Sequence, residues 1–362
     1  MSPRLPPGRT AARHAGRCGA VAVALAWLVA CAPAARTATA PAAPGRSNTS
    51  APGQAALAAK GTLRLAVSGK ESNTYSVIHI ADQAGYFAEQ GLDLDIKEAN
   101  PGVATQALVG GQFDAAHAAS PGIAAAIKGA PVKMIYALAE PSPYWIIARK
   151  EIKGWDDLKG KTIGAYSTTG TQVLDISRVL AMHGVNAQAD GVKYVAPGGV
   201  GDDQMVGALR AGSIDAAAFA GTGAVVALDD GFPLLGDMHA IKTYDFTFWA
   251  NNQALSSKPE LIRAFVTGML MGSRIYKQDP AKAIEYTTSQ FGGNRHFAER
   301  MRELSASWYT DDGLPTDAGW REAIRYKEEG SGEPSTVAPE QMLALDFVRQ
   351  ANDELTRTGW KP

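Results

Sequence analysis

Cysteine is almost missing from this sequence. Only Cys18 and Cys31 occur among the 362 residues, and both stand close to the first residue. An export signal that ends at residue 30, for which the reasons follow, would leave Cys31 alone, so we expect no disulfide in the mature protein. The scarcity also excludes a cysteine metal site and a free thiol nucleophile.

Acidic residues are missing from positions 1–70. Within that stretch, four arginines precede an apolar run from Gly19 to Ala30. A basic stretch followed by an apolar one is typical of an export signal. The run has about a dozen residues, whereas a helix needs roughly 20 to cross the hydrocarbon core. We therefore predict a cleaved signal peptide over residues 1–30 and no transmembrane anchor.

The apolar run ends in Leu28-Val29-Ala30-Cys31, which resembles the signal of bacterial lipoproteins. In that signal the cysteine becomes the lipidated first residue of the mature chain. An ordinary signal peptide with a chance cysteine is the alternative, but the position of Cys31 favours lipidation. Residues 31–59 are mostly Ala, Pro, Thr, Ser and Gly, which predicts a flexible tether between the membrane and a folded domain.

An excess of basic charge is missing as well. Without the four arginines of the signal, 31 basic residues face 36 acidic ones, a net charge of about −5. A mildly acidic globule is a poor candidate for nucleic-acid binding. About 300 residues remain after the tether, enough for two domains with hydrophobic cores.

From Lys60 onward, short β-rich segments alternate with Ala/Leu-rich helical segments, a pattern typical of α/β sheets covered by helices. Strands are predicted at Leu63–Val67, Leu92–Lys97, Asp114–Ala119, Val132–Leu138, Trp145–Ala148, Thr162–Ala165, Val192–Val195, Ile214–Phe219 and Phe246–Ala250. Helices are predicted between them at Ser76–Gln90, Val103–Gly110, Gly122–Lys128, Gln172–His183, Asp203–Ala211 and Gly223–Asp230. After Ser256 only helical patterns occur, at Glu260–Gln278, Pro280–Gln290, Phe297–Trp308, Thr316–Glu329 and Pro339–Thr358.

One ten-residue pattern occurs twice, as ALVGGQFDAA at Ala107–Ala116 and as ALRAGSIDAA at Ala208–Ala217. Each copy has the order of a helix end, a glycine stop, an Asp and a small-residue strand. The repetition favours two similar lobes, although the helix ending alone is a common pattern.

Three segments carry a resemblance to a known family: DQAGYFAEQGL at Asp82–Leu92, ALVGGQFDAA at Ala107–Ala116 and LKGKTIG at Leu158–Gly164. They resemble the nitrate, sulfonate, taurine and thiamine-pyrimidine binding proteins of ABC importers. This NMT1-like family shares its fold with fungal thiamine-pyrimidine synthase. The resemblance runs from about Lys60 to Asp279.

The resemblance implies a periplasmic-binding-protein-like α/β fold of type II, with two doubly wound lobes, a ligand cleft between them and extra C-terminal helices. Two crossing strands would join the lobes, near Tyr144–Arg149 and Phe246–Asn252. Lobe one would comprise residues 60–145 and 250–362, and lobe two residues 146–249. Hinge closure over a ligand would be the working motion.

Ligands bind such sheets where strands end and helices begin, because helix N-termini offer free N–H groups. The segment best equipped for this is Ser167, Thr168, Thr169, Gly170 and Thr171, which joins a predicted strand to a predicted helix. Its hydroxyl groups and its glycine turn suit an anion such as a sulfonate, carboxylate or phosphate. Helix capping alone is the alternative, and we favour ligand contact.

Further cleft candidates follow other strands. Those of lobe one are Ser68, Asn73, Tyr75 and Ser120, and those of lobe two are Gly199 and Thr222. Turn and cap roles explain these residues equally well. Tyr144 and Trp249, at the two crossings, could stack on a planar ligand, although core packing is the commoner role of such aromatics.

No sequence pattern for catalysis or metal binding is present. The motifs H-E-x-x-H, G-x-S-x-G and G-x-x-x-x-G-K-[ST] do not occur, and the six histidines are scattered. Paired carboxylates such as Asp202-Asp203 stand at turns and helix starts, where capping and solvated charge explain them. We therefore predict no enzyme, no metal and no cofactor.

The resemblance implies an extracytoplasmic solute-binding lipoprotein of an ABC importer, anchored to the cell membrane and facing the periplasm or the cell exterior. Its partners would be a small-molecule ligand and an ABC permease with its ATPase, and we expect a monomer. A small anion such as a sulfonate or nitrate is slightly preferred as the ligand. A pyrimidine or another heterocycle is a close rival, because the predicted cleft loops contain no Arg and Lys70 is their only cation.

Two alternatives belong to other classes of function. An enzyme on the same fold, similar to the fungal synthase, is disfavoured because the cysteine-rich iron motif of that enzyme is missing. A ligand sensor for a membrane receptor has the same sequence features as a transport protein, so the sequence leaves it open.

Overall fold

The computed structural model describes residues 60–70, 72–168, 171–197 and 201–362. The predicted signal peptide, the tether and the lipidation site Cys31 lie outside the described residues. None of the helices in the described ranges has the length and apolar character needed to cross a membrane.

The described chain contains two five-stranded sheets. In chain order the strands are β1 Gly61–Val67, β2 Leu92–Glu98, β3 Ala115–His117, β4 Val132–Pro141, β5 Trp145–Ala148, β6 Thr162–Gly164, β7 Lys193–Val195, β8 Ala216–Phe219, β9 Leu234–Asp237 and β10 Lys242–Asn251. The first sheet has the order β2-β1-β3-β10-β4 and the second the order β7-β6-β8-β5-β9. Each sheet therefore forms the centre of one lobe, which confirms the predicted two-lobed α/β fold.

The α-helices pack around these sheets. They are α1 Asn73–Gln83, α2 Tyr86–Glu89, α3 Pro101–Val109, α4 Ala119–Ile127, α5 Thr171–Met182, α6 Asp202–Ala211, α7 Thr222–Asp229, α8 Asn252–Ser257, α9 Pro259–Gln278, α10 Pro280–Gln290, α11 Arg295–Ser305, α12 Asp317–Ser331 and α13 Asp346–Arg357. Side-chain caps start several of them. Ser72 accepts the N–H of Tyr75 at α1, and Asn100 accepts that of Val103 at α3.

Three of the predicted helices are divided in the structure. The predicted helix over 76–90 is interrupted at Gly85, whose φ of +82° is the left-handed conformation that glycine adopts without steric cost. The predicted helix over 297–308 becomes α11 followed by a short 3₁₀ turn. The predicted helix over 339–358 becomes a 3₁₀ turn at Pro339–Met342 followed by α13.

The position of β10 corrects the predicted lobe boundaries. Residues 146–249 were assigned to lobe two, but β10 runs antiparallel to β3 and β4 in the first sheet. Lys242–Trp249 therefore belong to lobe one, and the second crossing precedes Lys242. At the first crossing, Trp145 already pairs with Phe219 in the second sheet, so the connection is limited to residues 142–144.

The long helix α9 forms much of the lobe-one core. Twelve of its residues are buried, among them Phe265 and Met269. A β-carbon at Gly272 would overlap the backbone carbonyl of Val77 on α1, so glycine permits the close approach of these two helices. Helix α9 is therefore part of the lobe-one core.

Candidate functional site

A cavity of about 700 Å³ is lined by both lobes. Six helices begin at its wall, α1, α3 and α4 from lobe one and α5, α6 and α7 from lobe two. Their first-turn residues on the wall are Asn73, Gly102, Ser120, Gln172, Asp202 and Thr222. Helix N-termini carry unpaired N–H groups, so the cavity receives backbone hydrogen-bond donors from both sides.

Six of the predicted ligand-binding residues line this cleft: Ser68, Asn73, Ser120, Tyr144, Ser167 and Thr222. Thr169, Gly170 and Gly199 lie outside the described residues, as does the side chain of Thr171. Thr168 is exposed and is not among the lining residues.

Trp249 is a core residue and does not line the cleft. Its side chain is fully buried, and its ring centroid lies 6.3 Å from that of Trp320 on α12. The indole Nε1–H donates to the hydroxyl of Thr247 at 2.9 Å. Its position on β10 opposite Ala116 places it in the lobe-one core, which corrects its prediction as a stacking residue.

Tyr75 also lies away from the lining. It is 9% exposed on α1, and its ring centroid is 6.0 Å from that of His79. The first two residues of α1, Asn73 and Thr74, line the cleft, whereas the next side chain, Tyr75, packs into the lobe-one core.

On the lobe-one wall, Ser68 and His117 form a hydrogen-bonded pair. His117 is 5% exposed, and its Nε2 lies 2.8 Å from the backbone carbonyl oxygen of Asp245. Burial lowers the pKa of His117 to about 4, so the imidazole is neutral at physiological pH. No motif in the sequence marks His117 as a cleft residue.

On the lobe-two wall, Asp202 organises three donors. Its carboxylate accepts hydrogen bonds from the Tyr166 hydroxyl, from the Thr222 hydroxyl at 2.6 Å and from the Gly223 N–H at 2.6 Å. Asp202 also begins α6, where the helix dipole favours a negative charge. The Asp202-Asp203 pair was predicted to be a cap or solvated charge, whereas Asp202 lines the cleft.

Gln172, at the start of α5, stabilises the same wall through two hydrogen bonds of its side chain. Its side-chain oxygen accepts the N–H of Tyr166 at 2.8 Å, and its side-chain nitrogen donates to the carbonyl of Ala218 at 3.0 Å. Both ends of the amide are therefore engaged within the protein, and Gln172 holds the loop after β6 against β8.

A partly buried lysine lies behind the lobe-one wall. Lys327 on α12 donates to the hydroxyl of Ser120. Burial raises the pKa of the Asp245 carboxyl, and the positive charge of Lys327 opposes that rise. Burial lowers the pKa of Lys327, while Asp245 and Asp175 oppose it. Helix α12 thus places an amine at the back of the cleft.

The lining itself is acidic and aromatic. Among its described residues the carboxylates are Asp202 and Asp245, and neither Lys nor Arg occurs. The rings of Tyr144 and Tyr166 lie 6.2 Å apart between centroids. Burial, reinforced by nearby carboxylates, raises the pKa of both phenols well above the usual value. Such a surface offers a ligand apolar faces and hydrogen-bond acceptors.

Metal binding has no support in the part of the chain that the structure describes. No group of three or more His, Cys, Asp or Glu side chains there has the proximity to hold a metal ion.

Sequence comparison identifies the family. The sequence profile described as NMT1/THI5 like matches residues 73–283, which is more than half of the chain. The chain belongs to the NMT1/THI5-like family. This confirms the predicted family and the α/β fold with two lobes. The curated proteins searched contain no match to the sequence.

Solved structures with the NMT1/THI5-like fold include proteins of different activity. The periplasmic sulfonate-binding protein SsuA from Methylobacillus flagellatus is 20% identical and has a TM-score of 0.62; the match covers 84% of this chain and 97% of that one. The periplasmic nitrate-binding protein NrtA from Synechocystis is 13% identical, with 82% and 89% covered and a TM-score of 0.61. The desulfurization enzyme DszB is 13% identical, with 80% and 99% covered and a TM-score of 0.59. At these identities the likeness shows the fold.

Proposed function

We propose that this NMT1/THI5-like protein is the solute-binding component of an ABC importer and holds a small organic molecule in the cleft. The observation that carries the proposal is the cavity of about 700 Å³ at which six helices from two lobes begin. A concave site of this size with both apolar and polar walls is typical of small-molecule binding. The binding proteins for sulfonate and nitrate that share the fold support the same role.

Hinge closure would be the capture step. Residues 142–144 and 238–241 are the connections between the two sheets, and both are short. Short connections at element ends can absorb the backbone changes of a domain closure. The lining includes Tyr144, which lies within the first connection, and residues of both lobes, so a ligand in the cleft would touch both lobes.

The protein would act outside the cytoplasm as a monomer, anchored through a lipid on Cys31 and delivering its ligand to a permease with an ATPase. The basic and apolar start of the sequence supports export, and the residues before Cys31 support lipidation. The described part of the lining is acidic and contains neither Lys nor Arg, which favours an uncharged ligand over the small anion slightly preferred in the sequence analysis.

An enzymatic role is the second candidate, since DszB shares the fold. Ser68 and His117 are a hydroxyl and an imidazole in contact, the arrangement of a nucleophile and its base. However, a general base works best with a pKa near the operating pH, and that of His117 is lowered to about 4. Binding without chemistry is therefore the better account of this pair.

A thermal-shift screen tests the proposal with the full-length chain. The library contains sulfonates, nitrate, small carboxylates and pyrimidines, with related uncharged compounds. A ligand at 100 times its Kd adds about 2.7 kcal/mol to the free energy of unfolding, which gives a clear shift of Tm. If no compound in a broad library stabilises the protein, small-molecule binding in the cleft is contradicted.

Two glycine variants locate the binding. A β-carbon at Gly102, on the cleft wall, would meet only the side-chain oxygen of Asn100, at 3.4 Å. One at Gly207, on α6 away from the lining, would meet nothing within 4 Å. Gly102→Trp should therefore fill the cleft and abolish the ligand-induced shift, while Gly207→Trp should preserve it. Equal shifts in both variants would place the ligand elsewhere.

A further inference from the structure

The tautomer of His117 fixes the hydrogen-bonding role of Ser68. The backbone carbonyl of Asp245, 2.8 Å from Nε2, has no hydrogen to give, so Nε2 must carry the hydrogen and donate it. A neutral imidazole has one N–H group, so Nδ1 is an acceptor. The Ser68 hydroxyl therefore donates its single hydrogen to Nδ1. What Ser68 presents to the cleft is an acceptor only.

The side-chain amide of Asn73 is a second, independent feature that bears on the choice of ligand. Its side chain lines the cleft and is 2% exposed, yet neither Oδ1 nor Nδ2 has a hydrogen-bond partner within the described chain. A β-carbon at Gly221 of lobe two would lie 3.9 Å from Oδ1, so the amide sits where the lobes meet. Buried polar groups are almost always paired, because an unpaired one forfeits its hydration. A ligand between the lobes that gives a donor to Oδ1 and an acceptor to Nδ2 would pair both atoms.

Two further side chains of the wall, Tyr166 and Thr222, also have no hydroxyl hydrogen to give to a ligand. Both hydroxyl hydrogens are donated to Asp202, so the two hydroxyl groups can only accept from a ligand. Donors come chiefly from the backbone at the starts of the helices. The acceptor atoms of a ligand can therefore pair with backbone N–H groups at the helix starts. The end of the ligand on lobe one faces Ser68, which can only accept, and Asn73, which can both donate and accept.

We propose that the cleft selects a ligand whose end on lobe one carries N–H donors beside an acceptor, as in a primary carboxamide, a sulfonamide or a cyclic amide. One N–H is accepted by Ser68 Oγ or Asn73 Oδ1, and Asn73 Nδ2 donates to the adjacent acceptor. Ions such as nitrate and alkanesulfonates have acceptors only and leave Asn73 Oδ1 unpaired, so the cleft rejects them. This inference rests on the proposed solute-binding function.

Matched pairs of compounds test it on the full-length protein by isothermal titration calorimetry at neutral pH. Each pair shares one frame and differs at one end: benzamide against benzoate, benzenesulfonamide against benzenesulfonate, and the corresponding aliphatic pairs. Amide members should bind at least tenfold more tightly than their anionic partners. Binding that is unaffected by Gly102→Trp is outside the cleft and counts against the inference.

A change of Asn73 distinguishes recognition from a structural role. Asn73→Asp replaces the Nδ2 donor with an acceptor at the start of α1, where a carboxylate suits the helix dipole. The variant should lose affinity for benzamide and gain affinity for benzamidinium, which has donors only, so that the ratio of the two changes at least tenfold. Asn186→Asp, at an exposed turn of lobe two, should leave the ratio unchanged.

The binding results distinguish the donor requirement from the proposed solute binding. If anionic members bind in the cleft as tightly as the amides, the donor requirement is overturned while solute binding stands. An unchanged benzamide-to-benzamidinium ratio in Asn73→Asp overturns it as well. If neither member of any pair, nor any compound of the broad library, binds in the cleft, solute binding itself is overturned, and the inference with it.

Discussion

The guanidinium carbon of Arg178 lies 3.7 Å from the centre of the Tyr326 ring. Arg178 is on α5 of lobe two, whereas Tyr326 is on α12, which packs against α4 and β10 of lobe one. A cation over an aromatic face is held by the quadrupole of the ring. The Tyr326 ring also packs against the hydrophobic core of lobe two. Helix α12 therefore contacts both lobes.

Tyr326→Ala should weaken this connection. The loss of the cation–π contact and of partly buried ring surface should lower the free energy of unfolding by about 2 kcal/mol. Urea denaturation measures this change, and small-angle scattering should show a larger radius of gyration as the lobes separate. Arg325→Ala is the control, because its guanidinium is further from the ring, at 4.8 Å, and its side chain is 55% exposed. Equal effects of the two variants would contradict the role assigned to Arg178 and Tyr326.

Asp175, three residues before Arg178, is buried between the same helices. One of its carboxylate oxygens has no hydrogen-bond partner in the described chain. Burial raises its pKa to about 7, the Asp245 carboxylate adds to the rise, and Lys327 and Arg178 oppose it. The protonated carboxyl is therefore the form that the folded protein favours.

The stability contributed by Asp175 should decrease as the pH rises. The unfolded chain releases this proton near pH 4, whereas the folded protein retains it to about pH 7, so the contribution is complete below pH 4 and lost through pH 7. Asp175→Asn mimics the protonated form. The variant should match the wild type near pH 4 and be more stable by roughly 2 kcal/mol at pH 8. Denaturation across this pH range measures the difference.

Asp353→Asn, at an exposed site, is the control and should show no change of stability relative to the wild type between pH 4 and pH 8. If Asp175→Asn differs from the wild type by the same amount at every pH, the raised pKa of Asp175 is contradicted.

Much of the fold could be predicted because its signals are local. The strand Trp145–Ala148 was predicted with its observed bounds, since a short apolar run between turn residues has few alternatives. The edge strand Leu234–Asp237 was missed: it pairs only with β5, and Leu234 is 45% exposed, so its apolar pattern is weak. Local patterns also could not assign β10 to a sheet, because that depends on pairing with β3 and β4.

Part of the candidate site could also be predicted, because some of its residues follow local sequence signals. Loops between strands and helices can be read from the sequence, and those loops supplied Ser68, Ser120 and Ser167 to the cleft. At the start of α6 the same rule selected Gly199, whereas Asp202 was interpreted as a cap or a solvated charge. The partner of Ser68 is 49 residues away in sequence, and Lys327 comes from a helix that has no sequence signal of a site. Only the tertiary structure brings these groups together.

Trp249 should matter for stability and not for ligand choice. A β-carbon at Gly122 would lie 2.8 Å from the indole ring, which shows how closely α4 packs on it. Trp249→Ala should therefore cost about 3–5 kcal/mol of the free energy of unfolding. Trp249→Phe keeps part of the packing, so the folded variant should bind any cleft ligand within about twofold of the wild-type affinity. Calorimetry on Trp249→Phe and denaturation of both variants measure these effects. A large loss of affinity in the folded Phe variant would restore Trp249 as a ligand contact.

Cys31→Ser should release the protein from the membrane. A serine hydroxyl cannot replace the thiolate that takes up the lipid, and each buried methylene of an acyl chain contributes about 0.8 kcal/mol to membrane binding. The wild-type protein should therefore fractionate with membranes and the variant with the soluble extracytoplasmic material, as seen by immunoblotting after cell fractionation. Cys18→Ser is the matched control: this cysteine lies within the predicted signal peptide, so its loss should not change the fractionation. If Cys31→Ser stays with the membrane, or if Cys18→Ser releases the protein equally, Cys31 is not the anchor.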